Sequence, residues 1–96
     1  MQYVGTGRLG TAQNVAYTGT AGTITNPVGS QTRKVRVVTT TDAFILNIDP
    51  GAAAVTSSTG TFWPAGGAEY ITVTPGQKVS AVQVSAAGTL YVTEVS

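Results

Sequence analysis

Ninety-six residues suffice for one domain and little more, because an independent core usually takes about 100–200 residues and a chain this short buries only about 60–70% of its unfolded surface. Charged residues make up 9% of the chain, against about 25% in a typical soluble domain, and five cations with four anions leave a net charge of +1. That balance gives little electrostatic pull toward nucleic acid or a membrane surface, and the absence of Cys and His excludes disulfide staples and the usual zinc and copper ligands.

The N-terminal stretch Met1-Gln2-Tyr3-Val4-Gly5 lacks the basic start and apolar run of a secretory signal. No apolar run approaches the roughly 18 residues of a membrane span, so synthesis and use in the cytosol are the expectation. Residues 1–13 carry three glycines and few apolar anchors and read as a flexible arm before a single domain, 14–96. Within the arm, Gly5-Thr6-Gly7-Arg8-Leu9-Gly10 spells G-x-G-x-x-G. It lacks the preceding strand, the following helix and the acidic ribose contact that a dinucleotide site requires.

From there on, short bursts of Val, Ile and Thr alternate with Gly and Pro. Branched side chains suit a pleated surface and lose freedom in a helix, so strands are predicted at Asn14–Thr18, Gly22–Thr25, Lys34–Thr40, Ala43–Ile48, Thr61–Trp63, Glu69–Thr74, Lys78–Val84 and Thr89–Val95. Turn signals separate them at Asn26-Pro27, Asp49-Pro50-Gly51, Ala65-Gly66-Gly67, Thr74-Pro75-Gly76 and Ala87-Gly88, close to the spacing of about 8–12 residues in sandwiches and barrels. Pro75-Gly76 is the sharpest, since Pro presets the first central position of a type II turn and Gly accepts positive φ at the second. Alternation points Val35, Val37, Phe44, Leu46, Ile48, Ile71, Val73, Leu90 and Val92 toward the core. Lys78–Val84 breaks the alternation: either both its faces are buried, one of them by a partner, or a bulge shifts its register. Ala52–Gly60 reads as a surface loop. The fold expected is an all-β antiparallel sandwich, Greek-key or jelly-roll-like.

Few residues carry chemistry. Without His, a Ser nucleophile has only Lys34 or Lys78 as a base. Glu69 and Glu94 lie on strands whose polar faces read as solvated, and Asp42 and Asp49 sit seven residues apart in turns where their carboxylates meet backbone N–H groups. No enzyme, cofactor or metal site is expected. Two groups are candidates for partner binding. Arg33-Lys34-Val35-Arg36 puts Lys34 and Arg36 on one strand face, either as a solvated, edge-guarding face or as a contact to an acidic partner. Without aromatic interleaving it falls short of a nucleic-acid platform. Phe62-Trp63-Pro64 caps the core at one end or anchors a partner, as Trp often does. Tyr17, Tyr70 and Tyr91 are the further aromatics that a carbohydrate-binding platform would need in one plane.

The segment Pro75-Gly76-Gln77-Lys78-Val79-Ser80-Ala81-Val82-Gln83-Val84, then Gly88-Thr89-Leu90-Tyr91-Val92-Thr93-Glu94, together with Asn26-Pro27-Val28-Gly29 leading into Arg33–Thr40, resembles small structural proteins of tailed-phage particles, some of which decorate capsids. The likeness covers residues 14–96 and is one of texture and element order. It implies a β-sandwich on the capsid surface of a virion, made in the host cytoplasm. Its partner would be the major capsid protein, and a homo-oligomer, preferably a trimer, would match local threefold axes. Tyr3, Val4, Arg8 and Leu9 of the arm, with Arg33, Lys34, Arg36, Phe62 and Trp63, are the expected partner contacts. A fibre-base or head–tail component is the nearest alternative, and a carbohydrate-binding module the alternative from another class.

Overall fold

The computed structural model describes residues 9–95. Eight strands follow one another along the chain: β1 Leu9–Tyr17, β2 Gly22–Thr23, β3 Lys34–Thr39, β4 Ala43–Ile48, β5 Thr61–Trp63, β6 Ala68–Thr72, β7 Lys78–Gln83 and β8 Gly88–Val95. They pair antiparallel in two four-stranded sheets, β1-β8-β3-β6 and β2-β7-β4-β5, with no helix among the described residues. The all-β expectation holds, and the two sheets enclose the core in a sandwich-like arrangement. Tyr17, Val35, Val37, Leu90 and Val92 of the first sheet meet Ala43, Ile45, Trp63, Val79 and Ala81 of the second in one buried cluster. Each fully buried Val or Leu there contributes about 1.5–3 kcal/mol relative to an exposed one.

Three differences from expectation have physical causes. First, β1 begins at Leu9, and Leu9 pairs with Val95 across a bulge that precedes the Ala12–Thr93 pair. Residues 9–13, placed in the arm because 1–13 holds three glycines and few apolar anchors, are therefore strand: β8 offers them a neighbour. Second, β4 is turned over. Ala43 and Ile45 are buried while Phe44 and Leu46 are half-buried on the outer face, and only Ile48 of the three residues expected inside is buried. Third, β7 pairs with β4 in unbroken register from Ala43–Gln83 to Ile48–Lys78, so there is no bulge. Both faces of β7 are buried from Val79 to Val82, and the second face is covered by the chain's own loop.

That loop is 49–60. It is exposed over most of its length, but Val55 is buried, and its backbone N–H donates to the Ser80 hydroxyl at 3.2 Å. A Cβ built on Gly60 would lie 2.6 Å from Val55 Cγ2 and 2.7 Å from Phe44 Cβ. Glycine at 60 is what lets the loop lie flat on β4.

The turn chemistry is as expected. Gly51, Gly66 and Gly76 have φ of 85°, 72° and 89°, each at the position of its turn where a side chain would be strained. The turns close through Ala52 N to Asp49 O at 2.9 Å, Gly67 N to Pro64 O at 3.0 Å and Gln77 N to Thr74 O at 3.1 Å.

The two sides of the sandwich differ. On one side β1 and β2 meet. Gly22 passes so close that a Cβ would stand 2.2 Å from the Ala16 carbonyl oxygen. Just beyond, the Gln13 amide plays the part of a strand neighbour. Its Nε2 donates to Asn26 O at 2.9 Å and its Oε1 accepts from Asn26 N at 3.1 Å. On the other side β5 is three residues long and a cleft of about 280 Å³ opens beside Ile45, Asn47, Thr61, Trp63 and Ile71. Asn47 Nδ2 bridges the sheets there by donating to Thr72 O at 3.1 Å.

Candidate functional site

The residues singled out from the sequence fall on opposite faces of the molecule. Phe62 lies on the outer face of the second sheet, opposite Phe44, which is itself opposite Val82. Residues directly opposed across antiparallel strands share a face, so Val82, Phe44 and Phe62 form one apolar row. The Phe44 and Phe62 rings pack edge to face, with centroids 6.2 Å apart and planes at 73°. Phe62 remains 53% exposed. Beyond Val82, a groove of about 700 Å³ runs between the 19–21 turn and residues 54–57, with Val82 and Val84 lining it. Val84 is exposed as well. Among the described residues Phe62 is the largest exposed purely apolar side chain, and it ends a row whose far end, two strands away at Val82, borders a groove of mixed polar and apolar lining.

Trp63 is not part of this surface. It is 6% exposed and belongs to the core, and its Nε1 donates to Gly67 O at 2.8 Å. The indole closes one end of the sandwich and ties down the 64–67 turn, so of the two roles weighed for it the core cap is the one the structure builds. The neighbouring Asp42 carboxylate secures the same turn by accepting from Ala65 N at 2.8 Å. Asp49 accepts from Gln77 Nε2 at 3.3 Å.

Lys34 and Arg36 lie on the outer face of the first sheet. β3 is central, between β8 and β6, so the edge-guarding role considered for these charges does not apply. Arg36 is opposed by Thr93 of β8 on one side and by Tyr70 of β6 on the other. Val38 is opposed by Tyr91, which is opposed in turn by Asn14 of β1. Tyr70 and Tyr91 are 41% and 46% exposed. They flank β3 on the same face, two strand spacings (about 9–10 Å) apart across the sheet and offset by two residues (about 6–7 Å) along it. Lys34 Nζ stands 5.6 Å from the Tyr70 ring centroid, within cation–π range. Arg33 is exposed at the start of the strand. No carboxylate shares this face among the described residues: its other members are Ala12, Ala16, Thr72, Thr89, Val95 and Ala68.

Tyr17, the third candidate for an aromatic platform, is buried. Its hydroxyl accepts from Thr41 N at 3.2 Å and reaches Thr41 O at 2.9 Å, which pins the β1 end to the β3–β4 turn. Glu94 is also structural. It points inward beside Val35, where its Oε1 accepts from the Thr32 hydroxyl at 2.5 Å and its Oε2 from Gly29 N at 3.3 Å. It was expected to be solvated; instead it fastens the 29–32 segment to β8. Tyr3, Val4 and Arg8 lie outside the described residues, and Leu9 opens β1.

The pairing of Tyr70 and Tyr91 about Arg36 is the feature that chain order hides. The three residues come from β6, β8 and β3, and only the strand order places them together. In comparisons with known proteins, the chain matches no family model, no curated protein and no solved structure.

Proposed function

We propose that this chain is a structural subunit of a tailed-phage particle, a decoration protein that seats on the major capsid protein through the outer face of its second sheet. The observation that carries the proposal is the exposed Phe62 at the end of the Val82–Phe44–Phe62 row. A large aromatic on a rigid strand, backed by a second ring, is the usual form of an interface anchor. The neutral surface supports the same reading, because low net charge favours association over repulsion. The likeness in texture to phage virion proteins supplies the partner. A decoration subunit adds contact across the joints of the shell, and many copies act together, so a single site need not bind tightly. The preferred assembly is a homotrimer on local threefold axes of the shell, and the sandwich is read as Greek-key or jelly-roll-like, a reading supported by eight strands in two four-stranded sheets whose neighbours are mostly non-consecutive.

The test is re-addition of purified subunit to particles stripped of it, with occupancy read by densitometry. Phe62→Ser is expected to lower the affinity by about tenfold or more, as truncation of a hot-spot aromatic does. Its unfolding free energy should fall by no more than about 1–2 kcal/mol, because the half-exposed ring gives up its edge-to-face contact with Phe44, and the variant stays folded at the assay temperature. Equal occupancy by the variant and the parent overturns the docking face. Absence of the protein from the particles in which its gene is expressed overturns the virion role, and a few copies per particle in place of hundreds reassigns it to the tail or neck. The contribution of the N-terminal segment is tested by removing residues 1–8 only, because Leu9 and Gly10 belong to β1.

A further inference from the structure

We infer that the outer face of the first sheet is a binding site for an acidic polysaccharide. Tyr70 and Tyr91 are exposed on the same face of the sheet, and the hydrophobic faces of sugar rings pack on such aromatics. Arg36 lies on the strand between them, opposed directly to Tyr70 and two residues from Val38, which opposes Tyr91. Its planar fork of donors matches a carboxylate or sulfate bidentately. Lys34 adds a second positive charge beside the Tyr70 ring, 5.6 Å from its centroid. Asn14, opposite Tyr91, and Thr93, opposite Arg36, supply neutral donors and acceptors for hydroxyl groups.

The charge pattern selects an anionic occupant. Two cations lie on this face and no carboxylate opposes them among the described residues, although the whole chain carries nearly equal numbers of each sign. Three of the four acids are spent elsewhere, Glu94 on Thr32 and Gly29, Asp42 on Ala65 and Asp49 on Gln77, and Glu69, exposed on β6, opposes Val37 on the other side of the sheet. Nucleic acid is the less suitable polyanion. Its binders commonly neutralise about 6–10 phosphates, and two cations fall well short. The tyrosines are also separated by a whole strand and two residues along it, a spacing too wide for two successive stacked bases, whereas a saccharide chain lying diagonally across β3 meets both rings with a further sugar between them.

This site uses the face opposite Phe62 and is independent of the capsid reading. The test is affinity electrophoresis of the full chain in gels containing polygalacturonate, dextran or an oligothymidylate. Retardation by polygalacturonate but not by dextran is expected. Tyr70→Thr and Tyr91→Thr, which keep a good strand former at each position, should each weaken it by about tenfold, on the scale of truncating an interface aromatic. Arg36→Gln should do likewise, and Phe62→Ser should leave it unchanged. No retardation of the parent by polygalacturonate overturns the inference, as does equal retardation of parent and both Tyr variants. Stronger retention by the oligothymidylate reassigns the face to nucleic acid. Circular dichroism of each variant checks the fold, and should a Thr variant unfold, Tyr70→Phe and Tyr91→Phe keep the stacking ring and must bind as the parent does.

Discussion

Three buried hydroxyl-bearing side chains show how narrowly the interior is satisfied. Tyr17 spends its hydroxyl on Thr41. Ser80, fully buried on β7, accepts from the Thr23 hydroxyl at 3.0 Å and from Val55 N. Thr39 is as deeply buried, yet its Oγ1 has no partner. It faces inward opposite Leu90, among apolar neighbours. An unpaired buried hydroxyl costs about 1–3 kcal/mol, and valine has the same shape without it. Thr39→Val is therefore expected to stabilise the domain by about 1 kcal/mol. For a chain of this length that raises the midpoint of thermal unfolding by about 4–8 °C. A lowered midpoint would show that Thr39 Oγ1 is satisfied in solution. None of this was legible in the sequence, where Thr39 reads as one more β-branched strand residue. Trp63 was legible only as a choice between two roles, and its bond to Gly67 O decides between them.

At the scale of elements, most strand positions could be read from composition and turns. Ala43–Ile48 and Thr61–Trp63 fall where expected, and Gly76 takes the positive φ that Pro75-Gly76 demands. The facing of β4 could not be read. In Ala43-Phe44-Ile45-Leu46 both parities are apolar, and alternation assigns a face only where one side is polar. The bulkier set, Phe44 and Leu46, lies outside, where the 49–60 loop and Phe62 provide cover that lies far along the chain. The same loop accounts for the doubly buried β7. The closed edge depends on a different residue. Gly22 has the Ala16 carbonyl oxygen 2.2 Å from where a Cβ would sit, and both atoms belong to backbone, so neither can rotate away. Gly22→Ala should force β2 off β1 and cost about 1–3 kcal/mol, the usual range for overpacking. Urea unfolding is the measure: the midpoint should fall with the slope unchanged. An unaltered midpoint would mean that the β1–β2 corner is looser than its geometry.

For the whole molecule the decisive property is a division of labour between two faces that share one core. The outer face of the second sheet is apolar around Phe62 and Val84; that of the first carries Lys34, Arg36 and the two tyrosines. The near-neutral total charge conceals this, because charge counts add the faces together. The candidate residues could be named from the sequence, but their separation onto opposite sides follows from strand order alone. Opposite chemistry predicts opposite responses to salt. Raising ionic strength from about 0.1 M to 1 M shortens the Debye length from about 10 Å to 3 Å. That change screens exposed charges and leaves apolar burial intact. Occupancy on particles, if carried by Phe62 and the row behind it, should change by less than about twofold over that range, whereas retention by an acidic polysaccharide should fall by an order of magnitude or more, as is general for polyanion binding. Parallel titrations of one protein preparation give both curves. A particle affinity that collapses with salt alongside the polysaccharide curve would move the docking surface to the Lys34–Arg36 face, and leave the Val82–Phe44–Phe62 row with no part in assembly.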